Sequence, residues 1–201
     1  MDVTDQLRPA ARFDRRAQHE RKREAVVRSA AAAFRRHGYH NTSMTEIAEQ
    51  LGLKKAALYY YVKNKEEILY LSHLHAYDAM DAILEEPLED SGLDRLEGVF
   101  RRFVSLLTET GVSVLTDVDS LSGAWREDVL ARRHTIEDRV VALVERGQAD
   151  GSIRAGDARL HTFFFMGALN WLNAWFQADG RLDAQTIVDH FAHQMRHGIA
   201  T

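Results

Sequence analysis

The sequence predicts an all-α protein, on three observations. Apolar residues recur at helical spacing along almost the whole chain of 201 residues. Only two prolines, Pro9 and Pro87, interrupt it, which suits long helices rather than a loop-rich sandwich. No stretch alternates apolar and polar residues with the period of two that a half-buried strand requires, and no internal repeat is visible. An apolar share of 45% at this length is enough to bury a real core.

The elements follow in order. Val26, Ala30, Ala33 and Phe34 lie on one helix face, and Arg35-Arg36-His37-Gly38 closes that helix with cations in the last turn and a glycine beyond it. Ser43-Met44-Thr45-Glu46 reads as a capping box that starts a short helix, with Ile47, Ala48 and Leu51 inward and Gly52 as its stop. A second short helix is expected over about 54–61, and a longer one from Lys65 to Pro87. Helices are expected over 93–109, 125–148, 157–177 and 183–199, and a short one with a break at Gly123 over 112–121. Leu160 to Ala178 contains no Asp, Glu, Lys or Arg, but its Asn170, Asn173 and Gln177 fit a buried helix or a subunit seam better than a membrane span.

Charge is segregated. Residues 1–65 hold fourteen Lys+Arg against seven Asp+Glu, whereas the remainder is acidic enough to bring the whole chain to −4. A small basic module attached to an acidic body points to a polyanionic partner for the first part. The absence of cysteine excludes a disulfide framework, a thiolate metal site and a cysteine nucleophile. No glycine-rich phosphate loop and no Ser/His/Asp pattern is recognisable, so catalysis is not expected. Met1-Asp2-Val3-Thr4-Asp5 begins no apolar signal segment, and the cytoplasm is the expected location.

Residues 44–61 read as helix, tight turn at Gly52, helix, the arrangement in which the first helix braces on a DNA backbone while the second enters the major groove. Ser43 and Thr45 offer hydroxyls to phosphate at the start of the bracing helix. Lys54 and Lys55 can reach base edges or phosphate, and Ala56 is small enough for close approach to a thymine methyl. Tyr59, Tyr60 and Tyr61 bring hydroxyls on stiff side chains, and Lys65 adds a further cation. Tyrosines and lysines could simply clothe a solvated helix, but so short a helix can turn only Leu58 and one tyrosine inward. Exposing the others has no structural return.

The run from Thr42 to Leu69, with Ser43-Met44-Thr45-Glu46-Ile47-Ala48, Leu51-Gly52-Leu53-Lys54-Lys55-Ala56-Ala57-Leu58-Tyr59-Tyr60-Tyr61 and Asn64-Lys65-Glu66-Glu67-Ile68-Leu69, resembles the DNA-binding region of the TetR family of bacterial transcriptional regulators. Ala33-Phe34-Arg35-Arg36-His37-Gly38-Tyr39 is similar to the end of that family's first helix. The resemblance implies that Thr45, Lys55, Ala56, Tyr59 and Tyr60 stand where the family touches bases or adjacent backbone. It also implies that Ser43, Tyr61 and Lys65 anchor phosphates. Lys54-Lys55 departs from the commoner family pattern by an extra cation. The family further implies a homodimer on a palindromic operator, usually a repressor released by a small molecule held in the C-terminal helical domain. The expected organisation is a basic arm over 1–19, a three-helix DNA-binding domain containing the helix-turn-helix over 20–66, and an effector and dimerisation domain over 67–201.

Gly167-Ala168-Leu169-Asn170-Trp171-Leu172-Asn173-Ala174-Trp175-Phe176, followed by Asp179-Gly180-Arg181-Leu182, is more loosely similar to TetR-type regulators of fatty-acid and sterol catabolism, which respond to acyl-CoA thioesters. Phe103, Trp125, Arg126, Arg133, Asn170, Trp171, Asn173 and Trp175 are the expected effector contacts; plain core aromatics and surface arginines are the competing reading. Leu160, Phe163, Phe164, Gly167, Ala168 and Trp171, with Ile187, Phe191 and Met195, are expected on a four-helix dimer seam, so Trp171 is a candidate for either role. Arg8, Arg12, Arg15 and Arg16 fit either a solvated tail or an arm that tracks phosphates. His190, His193 and His197 share a helix face, but without cysteine or a well-placed carboxylate they read as an exposed strip, and no metal or other cofactor is expected. The alternative to a regulator is a small-molecule binding protein or enzyme with an incidental basic end.

Overall fold

The computed structural model describes residues 8–86, 91–110, 117–176 and 180–199. Eight α-helices occupy them: α1 Arg8–His37, α2 Met44–Gln50, α3 Lys55–Leu58, α4 Lys65–Glu85, α5 Gly92–Thr110, α6 Gly123–Ala149, α7 Ala158–Trp175 and α8 Ala184–Ile199. A single 3-10 turn spans Val118–Ser120, and no β-strand occurs among the described residues. The chain divides into two compact units, residues 1–71 and 72–201, with the first turns of α4 in the first and the rest of it in the second.

In the first unit, α1 ends where the sequence places its stop, at Gly38 with φ +83°, a left-handed conformation that a side chain would disfavour. Phe34, Ile47, Leu58, Ile68 and Leu69 are buried together with Val26, Ala30 and Val62. The expected arm over 1–19 differs in form, since the chain is helical from Arg8 onward and residues 1–7 lie outside the described residues. The uninterrupted run Ala10-Ala11-Arg12 to Arg28 contains no residue unfavourable enough to start the helix later.

α3 is also shorter than its expected span over 54–61. Lys54 at its N-cap offers no side-chain cap, and beyond Leu58 the backbone tightens into turns, Tyr60 N–H donating to Ala57 O at 3.2 Å and Tyr61 N–H to Leu58 O at 2.9 Å. Those turns still bring Val62 beneath the same side as Leu58, both buried.

The second unit packs α5 against α6 and α8, and α6 against α7. Phe100, Phe103, Leu96, Ile136 and Phe165 fill its centre. The start of α5 meets the end of α6 backbone to backbone. A Cβ at Gly92 would lie 2.3 Å from Gly147 Cα, so only hydrogen fits there. Gly92 N–H donates to Asp150 Oδ2 at 2.7 Å and Leu93 N–H to Ser152 Oγ at 3.1 Å, which satisfies the free amides of that helix start. Arg95, buried on α5, donates to the carbonyls of Ile83 at 2.6 Å and Glu86 at 2.9 Å and so closes the C-terminus of α4. Arg196 on α8 reaches Asp94 at 2.5 Å and Glu97 at 2.8 Å on α5, and Arg101, paired with Glu97 one turn back on α5, reaches Asp189 on α8. Of the region expected to be helical over 112–121, residues 111–116 lie outside the described residues and the remainder forms the 3-10 turn. No helix among the described residues is long and apolar enough to cross a membrane.

Candidate nucleic-acid interface

The capping box sets the start of α2. Ser43 Oγ accepts from Glu46 N–H at 3.2 Å, and Glu46 Oε2 accepts from Ser43 N–H at 2.6 Å. The Ser43 backbone N–H first, and then its side-chain hydroxyl, hold the Glu46 carboxyl below the ordinary carboxylate range. Ile47 and Ala48 turn α2 into the core, leaving Thr45 exposed beside Ser43. Gly52, with φ +64°, makes the turn, and Leu53 N–H donates to Ala48 O at 2.8 Å.

Leu58 is fully buried, which fixes the outward side of α3. Lys54, Lys55 and Ala56 are exposed there, with Tyr59 at 48% and Tyr60 at 71% exposure. Rings of that size left largely in water, beside two cations, form an amphipathic surface. Tyr61 is half-buried and packs edge-on to Tyr60 with centroids 5.2 Å apart. His19 of α1 sits 5.0 Å from the Tyr60 ring and 5.3 Å from that of Tyr61, and its Nε2 donates to Tyr60 O at 3.4 Å. Sequence reasoning missed this buttress, because nothing local links residues 41 positions apart.

Lys65 corrects an expectation. Its ammonium is already engaged, donating to Tyr39 O at 2.9 Å and Thr42 O at 3.1 Å while lying 4.2 Å from the Tyr39 ring centroid. Two of its three protons thus tie the α1–α2 turn to the start of α4 rather than face outward. A second clamp is equally tertiary: buried Glu67 accepts from Arg23 Nη2 at 3.0 Å and from Lys63 N–H at 2.5 Å.

In the second unit the expected effector residues separate. Phe103 is buried in the core, Trp125 is half-buried, and Asn170 is half-buried with its Oδ1 unpartnered. Arg126 is paired with Asp119 at 3.2 Å, whereas exposed Arg133 has no ion pair among the described residues. The side chain of Asn173 lies outside the described residues. On α7, Trp171 takes the outward of its two expected positions, and Trp175 departs from the effector reading. Trp171 is 68% exposed and Trp175 also faces out, continuing the exposed line of Leu160, Phe163, Phe164 and Gly167. A helix apolar on all sides carries no polar face to say which side is inward, and spacing alone could not divide it.

The opposite correction applies to α8. Ile187 and Met195 are buried within their own unit and half-buried Phe191 lies 6.1 Å from the Phe100 ring, so these three hold α8 against α5 and are not available to a seam. The exposed side of α8 carries His190, His193 and His197, the last two with ring centroids 4.1 Å apart.

A helix-turn-helix with a cationic, tyrosine-bearing outer face, joined to a separate helical unit, defines a DNA-binding regulator. Residues 26–70 match the family described as bacterial regulatory proteins, tetR family, and residues 89–199 match the tetracyclin repressor-like C-terminal domain; the chain belongs to the TetR family of transcriptional repressors. PfmR, a TetR family transcriptional regulator from Thermus thermophilus, is 30% identical with a TM-score of 0.72 over 86% of this chain and 97% of that one. AibR, solved in complex with isovaleryl coenzyme A and operator DNA, is 26% identical with a TM-score of 0.72 and the same coverage. The transcriptional repressor KstR2 of Mycolicibacterium smegmatis is 24% identical over 194 residues, 92% of this chain and 94% of that protein.

Proposed function

We propose that this repressor binds a palindromic operator as a homodimer and is released by a small hydrophobic effector, for which the candidate is an acyl-CoA thioester, its acyl chain supplying the apolar part. The observation that carries the DNA-binding part is the α3 face, where burial of Leu58 leaves Lys54, Lys55, Ala56, Tyr59 and Tyr60 outward. On this reading Lys55 and Ala56 meet base edges, Tyr59 and Tyr60 meet bases or the adjacent backbone, and Ser43, Thr45, Lys54 and Tyr61 bond phosphates. Lys65 holds the frame that presents them. The exposed line Leu160, Phe163, Phe164, Gly167 and Trp171 on α7 is the seam between two copies, an apolar strip that water does not favour leaving bare. Two recognition elements then address half-sites about 34 Å apart or somewhat more. An operator-binding protein of this kind works in the cytoplasm.

The acyl-CoA assignment draws support from the relative crystallised with isovaleryl coenzyme A and from the tryptophan- and asparagine-bearing sequence of α7. Fluorescence anisotropy with the DNA upstream of its own gene tests the whole reading. Affinity should prefer a palindrome and fall steeply with salt, and an acyl-CoA should lower it while the matching free fatty acid does not. Equal affinity for scrambled DNA at every salt concentration would overturn the operator reading, and indifference to every chain length would overturn the effector.

A further inference from the structure

The second unit buries polar groups that have no hydrogen-bond partner among the described residues. His73 on α4 is fully buried and neither ring nitrogen has a hydrogen-bond partner among the described residues. One helical turn further on, Tyr77 is buried and its hydroxyl is equally alone. The rings stack with centroids 6.1 Å apart and an interplanar angle of 21°, which sets their polar edges along one strip of the helix. Native interiors seldom leave one such group orphaned, and two adjacent ones need an explanation.

Arg133 on α6 supplies it. Arg126, Arg132 and Arg139 on the same helix are each held by an aspartate, at 3.2, 2.7 and 2.5 Å. Arg133 has no such partner among the described residues, yet its charge reaches both rings. Burial first, and then Arg133, push His73 down to about 4, so its imidazole is neutral near pH 7. Burial pushes Tyr77 up to about 12, with Arg133 partly opposing, and its hydroxyl keeps its proton. The two rings therefore present a phenolic O–H, an imidazole N–H and one bare imidazole nitrogen, and the unneutralised Arg133 charge favours an oxygen with negative character as their partner. The cluster would repel an amine, and it holds too little positive charge for a phosphate dianion.

We infer that His73 and Tyr77 form the polar end of the effector site and hydrogen-bond the acyl oxygen of a ligand with an apolar chain, a carboxylate or a thioester carbonyl, within the field of the Arg133 charge. The inference rests on this unit being the effector domain, and it names two contacts that sequence spacing did not. Thr162 Oγ1 and Asn170 Oδ1 on α7 are further unpartnered polar atoms of the same unit.

Calorimetric titration of the full-length protein with butyrate, octanoate and palmitate, their CoA thioesters, and octylamine tests it without relying on DNA. At least one acyl compound should bind and octylamine should not. Tyr77→Phe and His73→Phe should each weaken that compound about tenfold, as loss of a buried hydrogen bond requires, with operator affinity in its absence unchanged. Arg133→Gln identifies the source: a carboxylate should lose about tenfold or more, a thioester much less. Tyr77→Phe deletes only an orphaned hydroxyl, so its ligand-free melting temperature should not fall. A lower one would mean that the hydroxyl is satisfied internally and would overturn the inference. So would undiminished ligand affinity in Tyr77→Phe, or a wild-type protein that binds none of the acyl compounds while binding its operator. Loss of operator binding alone would count against the regulator reading and leave the calorimetric result intact.

Discussion

Lys65→Met keeps the aliphatic stem of the side chain and removes its ammonium. The ammonium donates to two carbonyls of buried residues, Tyr39 at 2.9 Å and Thr42 at 3.1 Å, and lies 4.2 Å from an aromatic centroid. A hydrogen bond to a charged group is worth about 1.5–3 kcal/mol net. Lys65 is half-buried, so water takes over part of that role and the pair together should supply about 2 kcal/mol. The ring contact adds about 0.5–1 kcal/mol. The substitution should therefore cost about 2–3 kcal/mol in the DNA-binding unit, a fall of about 1 M or more in its urea midpoint at a typical slope. Far-ultraviolet circular dichroism is the suitable probe, because Trp125, Trp171 and Trp175 all lie in the other unit. Operator binding by the folded variant should keep most of its salt dependence. A variant as stable as the wild type, whose salt slope drops by about one, would refute the clamp and return the ammonium to a phosphate.

Three further outcomes follow from burial and exposure. Leu58→Ala should destabilise the protein by about 2–5 kcal/mol, whereas Tyr60→Ala should leave the urea midpoint nearly unchanged and lower operator affinity. Phe164→Glu should give monomers in sedimentation velocity without lowering the melting temperature of the monomer, because that side chain is exposed, while Met195→Ala should cost about 2–4 kcal/mol and leave the association state unchanged. His73, held near 4 against an ordinary 6.5, takes up its proton later in the folded than in the unfolded chain as pH falls. Its contribution is therefore constant above pH 6.5 and is lost progressively between 6.5 and about 4, at up to about 1.4 kcal/mol per pH unit. In His73→Phe the slope of stability over that window should flatten; an unchanged slope would show that His73 is protonated in the fold.

Local chemistry was legible in the sequence. Ser43 and Glu46 form the capping box that their spacing required, Asp157 accepts from Arg159 and Leu160 amides to start α7, and Gly38 and Gly52 adopt the left-handed conformations that end α1 and α2. Each depends on residues within four positions of one another. Three consecutive tyrosines beside two lysines also announced an outward face. What lay further apart was not legible: the Lys65 clamp, the His19 buttress and the Arg23–Glu67 pair join residues 23 to 44 positions apart. One missed signal was present. Leu69, Ala76, Met80 and Ile83 are buried at helical spacing on α4, and His73 falls on the same stripe where an apolar residue would be expected.

By itself, then, the sequence determined that the chain is helical, where most helices begin and stop, and which short segment is built to meet a polyanion, because these follow from propensity, capping and charge over a few residues. Tertiary structure alone decided which way the uniformly apolar α7 faces, sending Trp171 and Trp175 outward with Leu160 and Phe164, and which side of α8 is core, taking Ile187 and Met195 inward. It also decided that the Lys65 ammonium is engaged and that the polar atoms of His73 and Tyr77 have no hydrogen-bond partner among the described residues. The physical reason is common to all of these. The direction of a side chain is set by the neighbours that exclude water from it, and those neighbours are supplied by other helices.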